Sequence, residues 1–532
     1  MPVNFCQIWK KFDIYYILLV FIAVSLPLSK FTFNFFTILL VLNWIIEGGF
    51  REKIVVLKNR KSIQVILLIY FIHVLWLLFT NDFNLAFHEL NIKLPFLIFP
   101  IVIGTSKPLY KKQIETLFFW YSGAVIIAGG VALAGLYGVI SFREYQEHTG
   151  AILFIHHIRF GVLLAIAIIM QLYWIVKKGI LEGKYYFYLI IISVIFLFFV
   201  LISLKILTGI AILLGSSLIL LFIYLWKIKI GYLRFIFAVL LISLPVFSAL
   251  YIYFAVQKYY TIEKVDFSTL EKKTQSGNTY VHDTLNGRFE NGNYVRLYIC
   301  KKELEQEWNK KSELDFNGQD LKNQSLYATL IRYMSSKGLR KDSAGISLLT
   351  VNDIKNVENG YSNYLFTKKG SLYPRIYQII WEIDEYKRSG EASGHSLTQR
   401  YVYYGITINL IKEHWLLGVG TGDTKSIYNL YYKENNTGLK PEFQHESHNQ
   451  FLRFTLEFGI IGFIIIMFCF VYPVHYERKW QSFYFVAIFI IIFLSFVNED
   501  TLEMQVGAAL VAYFYSLFLF GMKSKNIKKT SL

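Results

Sequence analysis

The stretch Gln444-His445-Glu446-Ser447-His448-Asn449-Gln450-Phe451-Leu452 sets two histidines, a carboxylate and three amides directly ahead of an apolar run from Phe454 to Val474. Upstream lie Arg400 and the glycine run Gly418-Val419-Gly420-Thr421-Gly422-Asp423. An imidazole with an ordinary pKa near 6.5 can take a proton from a hydroxyl close to neutral pH. A guanidinium grips phosphate or carboxylate oxygens with two parallel hydrogen bonds. Base, cation and tight backbone turn thus fall near one another in sequence, at the mouth of an apolar segment.

The rest of the chain reads as a scaffold that holds this stretch at a membrane surface. Of 532 residues, 55% are hydrophobic and only 17% are charged, against about 25% charged in soluble domains. The apolar residues come in blocks at about 13–29, 31–48, 63–80, 92–104, 114–142, 152–176, 185–203, 207–226, 233–256, 453–474, 482–497 and 505–521. Most are long enough to cross a bilayer as helices, so the expectation is an all-α polytopic membrane protein with about twelve spans. Met1–Phe12 lacks a small-residue cleavage site, so no removable signal peptide is expected. Cys6, Cys300 and Cys469 suggest no disulfide framework, and no Cys/His set has metal spacing.

The net charge of +17 sits mostly in short connectors: Arg51 to Lys61, Lys107 to Lys112, Lys177-Lys178, Lys227 and Lys229, Arg478-Lys479 and Lys523 to Lys529. Basic connectors on alternate loops mark the cytoplasmic side and argue against nucleic acid as the partner. The other connectors face outward: Asn81-Asp82, Arg143 to Gly150, Ser203 to Leu207, Asn498-Glu499-Asp500, and one long polar stretch. The chain divides into a membrane domain over 1–257, an external α or α+β domain over 258–399, a catalytic loop with an interfacial helix over 400–452, and membrane helices over 453–532. Within the external part, Lys301 to Lys310, Leu326 to Ser335 and Tyr373 to Lys387 read as helices, and Ser268 to Asn293 as turns or strands. Thr398 to Leu417 reads as a helix along the bilayer surface.

This topology brings Arg400, His448, Lys205 and Arg159 to one face. Charges at the edge of membrane segments are costly and point to function. Clustered cations at an outer surface suit an anionic lipid headgroup, in particular a diphosphate. A base beside them is what glycosyl transfer from a lipid diphosphate needs: the base activates the acceptor hydroxyl and the cations stabilise the leaving group. Plainer roles stand beside these. His448 could be a loop or cap histidine, and Asn449 a helix cap. Arg159 could be a paired structural charge, and Glu446 a solvated carboxylate. The glycine run lacks the strand–turn–helix setting of a nucleotide cradle and suits a turn after a helix. Glu503 could pair with one of the cations.

The ordered set Ser396-Leu397-Thr398-Gln399-Arg400, His414 to Asp423, His445 to Leu452 and Glu457-Phe458-Gly459-Ile460-Ile461-Gly462 resembles the O-antigen ligase family. That family includes the lipopolysaccharide O-antigen ligases and related Wzy-type polymerases. The resemblance implies a GT-C-like fold and a metal-independent, inverting glycosyltransferase without cofactor. It would act at the periplasmic face of a bacterial inner membrane on an undecaprenyl-diphosphate-linked glycan, with lipid A-core or another glycan as acceptor. His448 matches the family's H-N-x-x-L-like histidine, implied to activate the acceptor. Arg400 matches the arginine implied to contact the diphosphate. Lys205 stands where the family has an arginine in a Ser-Arg-like motif, so it keeps the charge and loses the fork. Arg159, Asn449, Gly420 and Gly422 complete the expected substrate contacts. Within the same fold the alternatives are a Wzy-type polymerase and a protein O-glycosylating ligase. A polysaccharide transporter is a reading from another class. Transporters carry internal repeats and polar groups near the bilayer midplane, and neither is evident.

Overall fold

The computed structural model describes residues 13–140, 154–178, 183–225, 227, 229–368 and 370–523. Cys6, the Arg143 to Gly150 connector and the basic tail beyond Lys523 lie outside the described residues. The described residues are 72% helical. It divides into two compact units, Met1–Leu241 with Ser389–Leu532, and Ile242–Arg388.

The first unit is a bundle of apolar helices. Among the described residues, eight helices are long and apolar enough to cross a membrane, or nine if Lys30–Ile46 and Phe50–Asn59, bent by 107°, form one span. Three further apolar helices, Ile14–Ser25, Phe483–Asn498 and Gln505–Leu519, are shorter. In its described residues every apolar block read from the sequence falls mainly on helix, but not every one reaches spanning length. This is an all-α, multi-pass membrane protein.

Gln505–Leu519 is the innermost helix: every residue from Gly507 to Leu519 is buried. A helix that is apolar on all sides belongs inside a bundle. Its buried tyrosines each find a backbone carbonyl, Tyr513 Oη donating to Leu19 O (2.7 Å) and Tyr515 Oη to Phe470 O (2.5 Å). Such pairing removes the cost of an unmatched hydroxyl away from water. Helices His157–Lys178 and Leu207–Leu225 meet at Gly161 and Gly209. A Cβ on either glycine would come within 2.9 Å of the other's Cα, so only glycine allows this crossing.

The basic connectors collect at one end. Arg60 donates to Glu477 through Nε (2.7 Å) and Nη2 (3.0 Å), Lys479 Nζ donates to Met522 O, and Leu109 N to Gly521 O. The helix beginning at Lys61 and its last 3-10 turn run from this end to Asn81-Asp82, where the glycine run docks.

Helix Gln450–Tyr476 breaks at Gly459 (φ 62°). The break frees backbone amides and carbonyls, and the segment Trp415 to Gly420 takes them up. Ile460 N donates to Trp415 O, while Val419 N and Gly420 N donate to Leu456 O and Glu457 O at 3.0 Å each. The run lies so close that a Cβ on Gly420 (φ 97°) would sit 2.7 Å from Phe79 O. Asp423 closes the arrangement by accepting from Asn81 N, Asn81 Nδ2 and Asp82 N at 2.8–2.9 Å.

The second unit has its own core of Leu304, Trp308, Phe316, Leu330, Tyr333 and Val357, carried by helices Lys301–Lys311, Leu326–Ser336 and Val351–Glu358. Among its described residues the strand content is one two-residue pair, Phe289–Glu290 with Asn293–Tyr294. The expected helices are present, and Ser268 to Asn293 forms turns with isolated bridges, as read.

Candidate active site at one end of the helix bundle

Four backbone segments build the site: the loop before helix Gln450–Tyr476, the first turns of helices Ser396–Glu413 and His157–Lys178, and the turn between Phe483–Asn498 and Gln505–Leu519. Asn449 caps the first of these. Its Oδ1 accepts from Phe451 N (3.0 Å) and Leu452 N (3.1 Å), and its Nδ2 donates to Val497 O (3.0 Å). Of the two roles open for Asn449, the cap is the one its side chain fills. His448, just before it, has φ 49°, a left-handed conformation that costs a non-glycine residue about 1–2 kcal/mol. Surrounding contacts pin it there. Tyr432 Oη donates to His445 O (2.7 Å), Tyr403 Oη donates to Phe443 O (2.6 Å), and the Tyr403 ring lies 5.9 Å from that of His448.

His448 faces two carboxylates that its own stretch of sequence does not contain. Its Nδ1 lies 3.6 Å from Asp500 Oδ1 and 3.7 Å from Glu499 Oε1. These distances are longer than ordinary hydrogen bonds, and the carboxylates act on the ring both as polar partners and as charges. Burial pushes the imidazole down, but Asp500 and Glu499 outweigh it and hold the pKa at about 9. Asp500 responds in kind: burial pushes it up, and His448 brings it below its ordinary value. His445 is pushed down, first by burial and then by the charge of His448.

Arg400 Nη2 lies 3.9 Å from Glu499 Oε2. Arg159, 9% exposed, feels Glu499 and Asp500 electrostatically. The Nε atoms of Arg159 and Arg400, Nδ1 of His448 and Oε2 of Glu499 are all buried without a hydrogen-bond partner. Lys205 occupies the turn before Leu207, with φ 55°, and the Gly161–Gly209 crossing brings that turn beside the turn of Arg159. Arg159, Arg400 and His448 thus converge on Glu499 and Asp500. Gly420 and Gly422 lie elsewhere. The Gly420 amide is taken by Glu457 O, and a Cβ on Gly422 would meet Ala86 N at 2.6 Å. They dock backbone against backbone.

Beneath the site lies a buried ion network. Lys93, fully buried, pairs with Glu503 (2.9 Å) and Glu89 (3.2 Å) and donates to Leu502 O (2.8 Å). Arg453 pairs with Glu457 (3.3 Å), with Glu503 and Glu89 (3.7 Å each), and with Glu446. Gln450 accepts from Leu502 N (2.7 Å) and donates to Glu503 Oε1 (2.8 Å). Glu446 is therefore a paired carboxylate, not a solvated one as its position in a polar loop suggested. Glu503 does pair with cations, but these are Lys93 and Arg453.

One imidazole nitrogen and two carboxylate oxygens, from His448, Glu499 and Asp500, lie within 4.8 Å of one another, a spacing a divalent cation could use. Arg400 and Arg159 face the same carboxylates, and their charges suit a proton on His448 rather than a metal among guanidiniums. Sequence spacing could not reveal this trio, because two separate loops supply it.

Fold and site together define a multi-pass membrane protein with a polar, charge-balanced centre at one end of its helices. Residues 347–467 match the family model described as O-Antigen ligase, so the chain carries a domain of that family. The match spans Arg400, the glycine run and His448. Members of this family are glycosyltransferase-like ligases, so the chain is an enzyme of that general kind. No curated protein matches the chain.

Proposed function

We propose that the chain transfers a glycan from undecaprenyl diphosphate to an acceptor hydroxyl, with lipid A-core the acceptor, at the periplasmic face of a bacterial inner membrane. The observation that carries this reading is the meeting of His448, Arg400 and Arg159 around Glu499 and Asp500 at the non-basic end of the bundle. Arg400 and Arg159 bind the donor's diphosphate, and Lys205 adds a point charge beside Arg159. With Nδ1 turned to the carboxylates, the opposite ring nitrogen of His448, Nε2, accepts the acceptor's proton. The acceptor oxygen forms a bond to the sugar's anomeric carbon as the bond from that carbon to the diphosphate oxygen breaks. The electron pair leaves with undecaprenyl diphosphate, and the arginines stabilise its added charge. On this reading residues 258–399 form a periplasmic domain and 400–452 the catalytic loop. No bound metal or cofactor takes part.

The test is deletion of the gene, complemented by wild type or by His448→Ala. Glycan chains should accumulate on the polyprenyl carrier in the deletion, with wild type alone restoring transfer. If single repeats reach the acceptor and only chain length collapses, the chain is a Wzy-type polymerase. If His448→Ala at normal level complements fully, His448 is not the base.

A further inference from the structure

Glu499 faces all three of His448, Arg400 and Arg159. One oxygen faces His448 at 3.7 Å and the other faces Arg400 at 3.9 Å, while Arg159 feels the same carboxylate. The residue is 6% exposed. None of these contacts reaches hydrogen-bond distance, and Oε2 of Glu499 and Nε of both arginines have no hydrogen-bond partner. Buried charges held at such distances lose solvation without gaining full pairing. Two guanidinium edges are thereby kept ready for an anion with several oxygens, which could accept charge-assisted bonds of about 2.7–2.9 Å.

We propose that Glu499 is an internal anion that competes with the donor's diphosphate for Arg400 and Arg159, is displaced from them when the donor binds, and retakes them when the product leaves. The charge balance explains why such a group would be built in. Arg159, Arg400 and protonated His448 carry three positive charges, and Glu499 and Asp500 two negative ones. A diphosphate diester brings about two negative charges, and the product lipid diphosphate has one more, because the bond to the sugar has broken with its electron pair. The better the arginines hold the leaving group, the slower it departs. A carboxylate waiting beside them opposes that trapping. While the donor is bound, the same carboxylate stays with His448 and keeps Nδ1 facing it. Tyr403 and His445 on the loop side and Asp500 on the turn side are the remaining groups packed around the imidazole.

This inference rests on the reading of the site as a lipid-diphosphate centre, and its test separates the two. Binding of undecaprenyl diphosphate to the purified full chain in detergent is measured by calorimetry for wild type, Glu499→Gln and Glu499→Asp. Removing one unit charge about 4 Å from the guanidiniums should tighten Glu499→Gln binding at least about fivefold, the bulk-water limit, and more where the site is dry, while Glu499→Asp stays near wild type. In transfer assays run above the His448 knee, so that a shift of its pKa does not enter, Glu499→Gln should lower both donor KM and kcat and deepen inhibition by undecaprenyl diphosphate. A merely structural role would not lower KM. If wild type binds the lipid diphosphate and Glu499→Gln binds it equally or more weakly, the internal-anion proposal falls and the reading of the site stands. If wild type does not bind it, both fall. Should Glu499→Gln fail to fold, Glu499→Asp combined with Arg400→Lys carries the test. Independent effects of the two changes on binding would overturn the proposal.

Discussion

If His448 is the base, transfer must accelerate with pH well beyond neutrality. Burial pushes its pKa down, and Asp500 and Glu499 more than reverse this, to about 9. At pH 7 such a group is neutral in only about 1% of molecules, which raises the barrier seen in kcat/KM by about 2.7 kcal/mol. The expected profile, measured with the purified chain in lipid nanodiscs and a polyprenyl-diphosphate-linked glycan, climbs about tenfold per pH unit from 7 towards 9 and then levels. Bound donor adds negative charge beside the imidazole, so the knee in kcat should lie at or above the knee in kcat/KM.

Asp500→Asn removes one of the two carboxylates and should move the knee down towards 6.5, the ordinary histidine value. A folded-state pKa above the unfolded one also fixes the sign of a stability effect. The stabilisation from His448 is complete below about pH 6.5 and is lost as pH rises through about 9. A wild-type profile that is flat from pH 7 to 9 and falls above would refute the base assignment. It would make His448 a third cation on the diphosphate. A knee that stays in place in Asp500→Asn would refute the electrostatic cause.

Two other expectations concern the scaffold. Gly420→Ala places a methyl 2.7 Å from Phe79 O at φ 97°, so backbone strain and overpacking together should cost about 3 kcal/mol, read as a lower thermal midpoint in detergent. Arg453→Met strands Glu446, Glu457 and Glu503 without their shared cation, for a loss of about 3–5 kcal/mol in the same measurement. A variant within about 1 kcal/mol of wild type would show that Lys93 alone suffices.

The parts legible in the sequence were those with local signals. Apolar blocks announce membrane helices, and their basic connectors assemble at one end, as Arg60–Glu477 and Lys479–Met522 demonstrate. His448, Arg400 and Arg159 were legible because a titratable or basic group beside an apolar run is costly. The partners of His448 were not. Glu499 and Asp500 read as an ordinary polar connector, and nothing in their spacing ties them to a loop about fifty residues earlier. Lys93 and the Arg453–Glu457 pair did leave a trace: charges inside apolar runs, the latter spaced one helical turn apart. The break at Gly459 was invisible because its compensation lies in another segment.

That compensation and the ion network solve one problem. The base and its carboxylates sit on two loops that no helix joins directly, so something must hold them to within a fraction of an ångström. Gln450 grips the backbone at Leu502, and Lys93 grips it from the other side. Asn449 reaches Val497, and Arg453 ties Glu446 to Glu503. The residues on either side of His448 are thus bonded to the residues on either side of Glu499 and Asp500. Breaking Gly459's helix lets residues 450–458 leave the line of the membrane span while the glycine run keeps the backbone satisfied. A straight helix would fix His448 along the axis of its own span. The broken one frees the segment to meet the acidic turn, and this separates a site built at the membrane surface from a histidine that merely caps a helix.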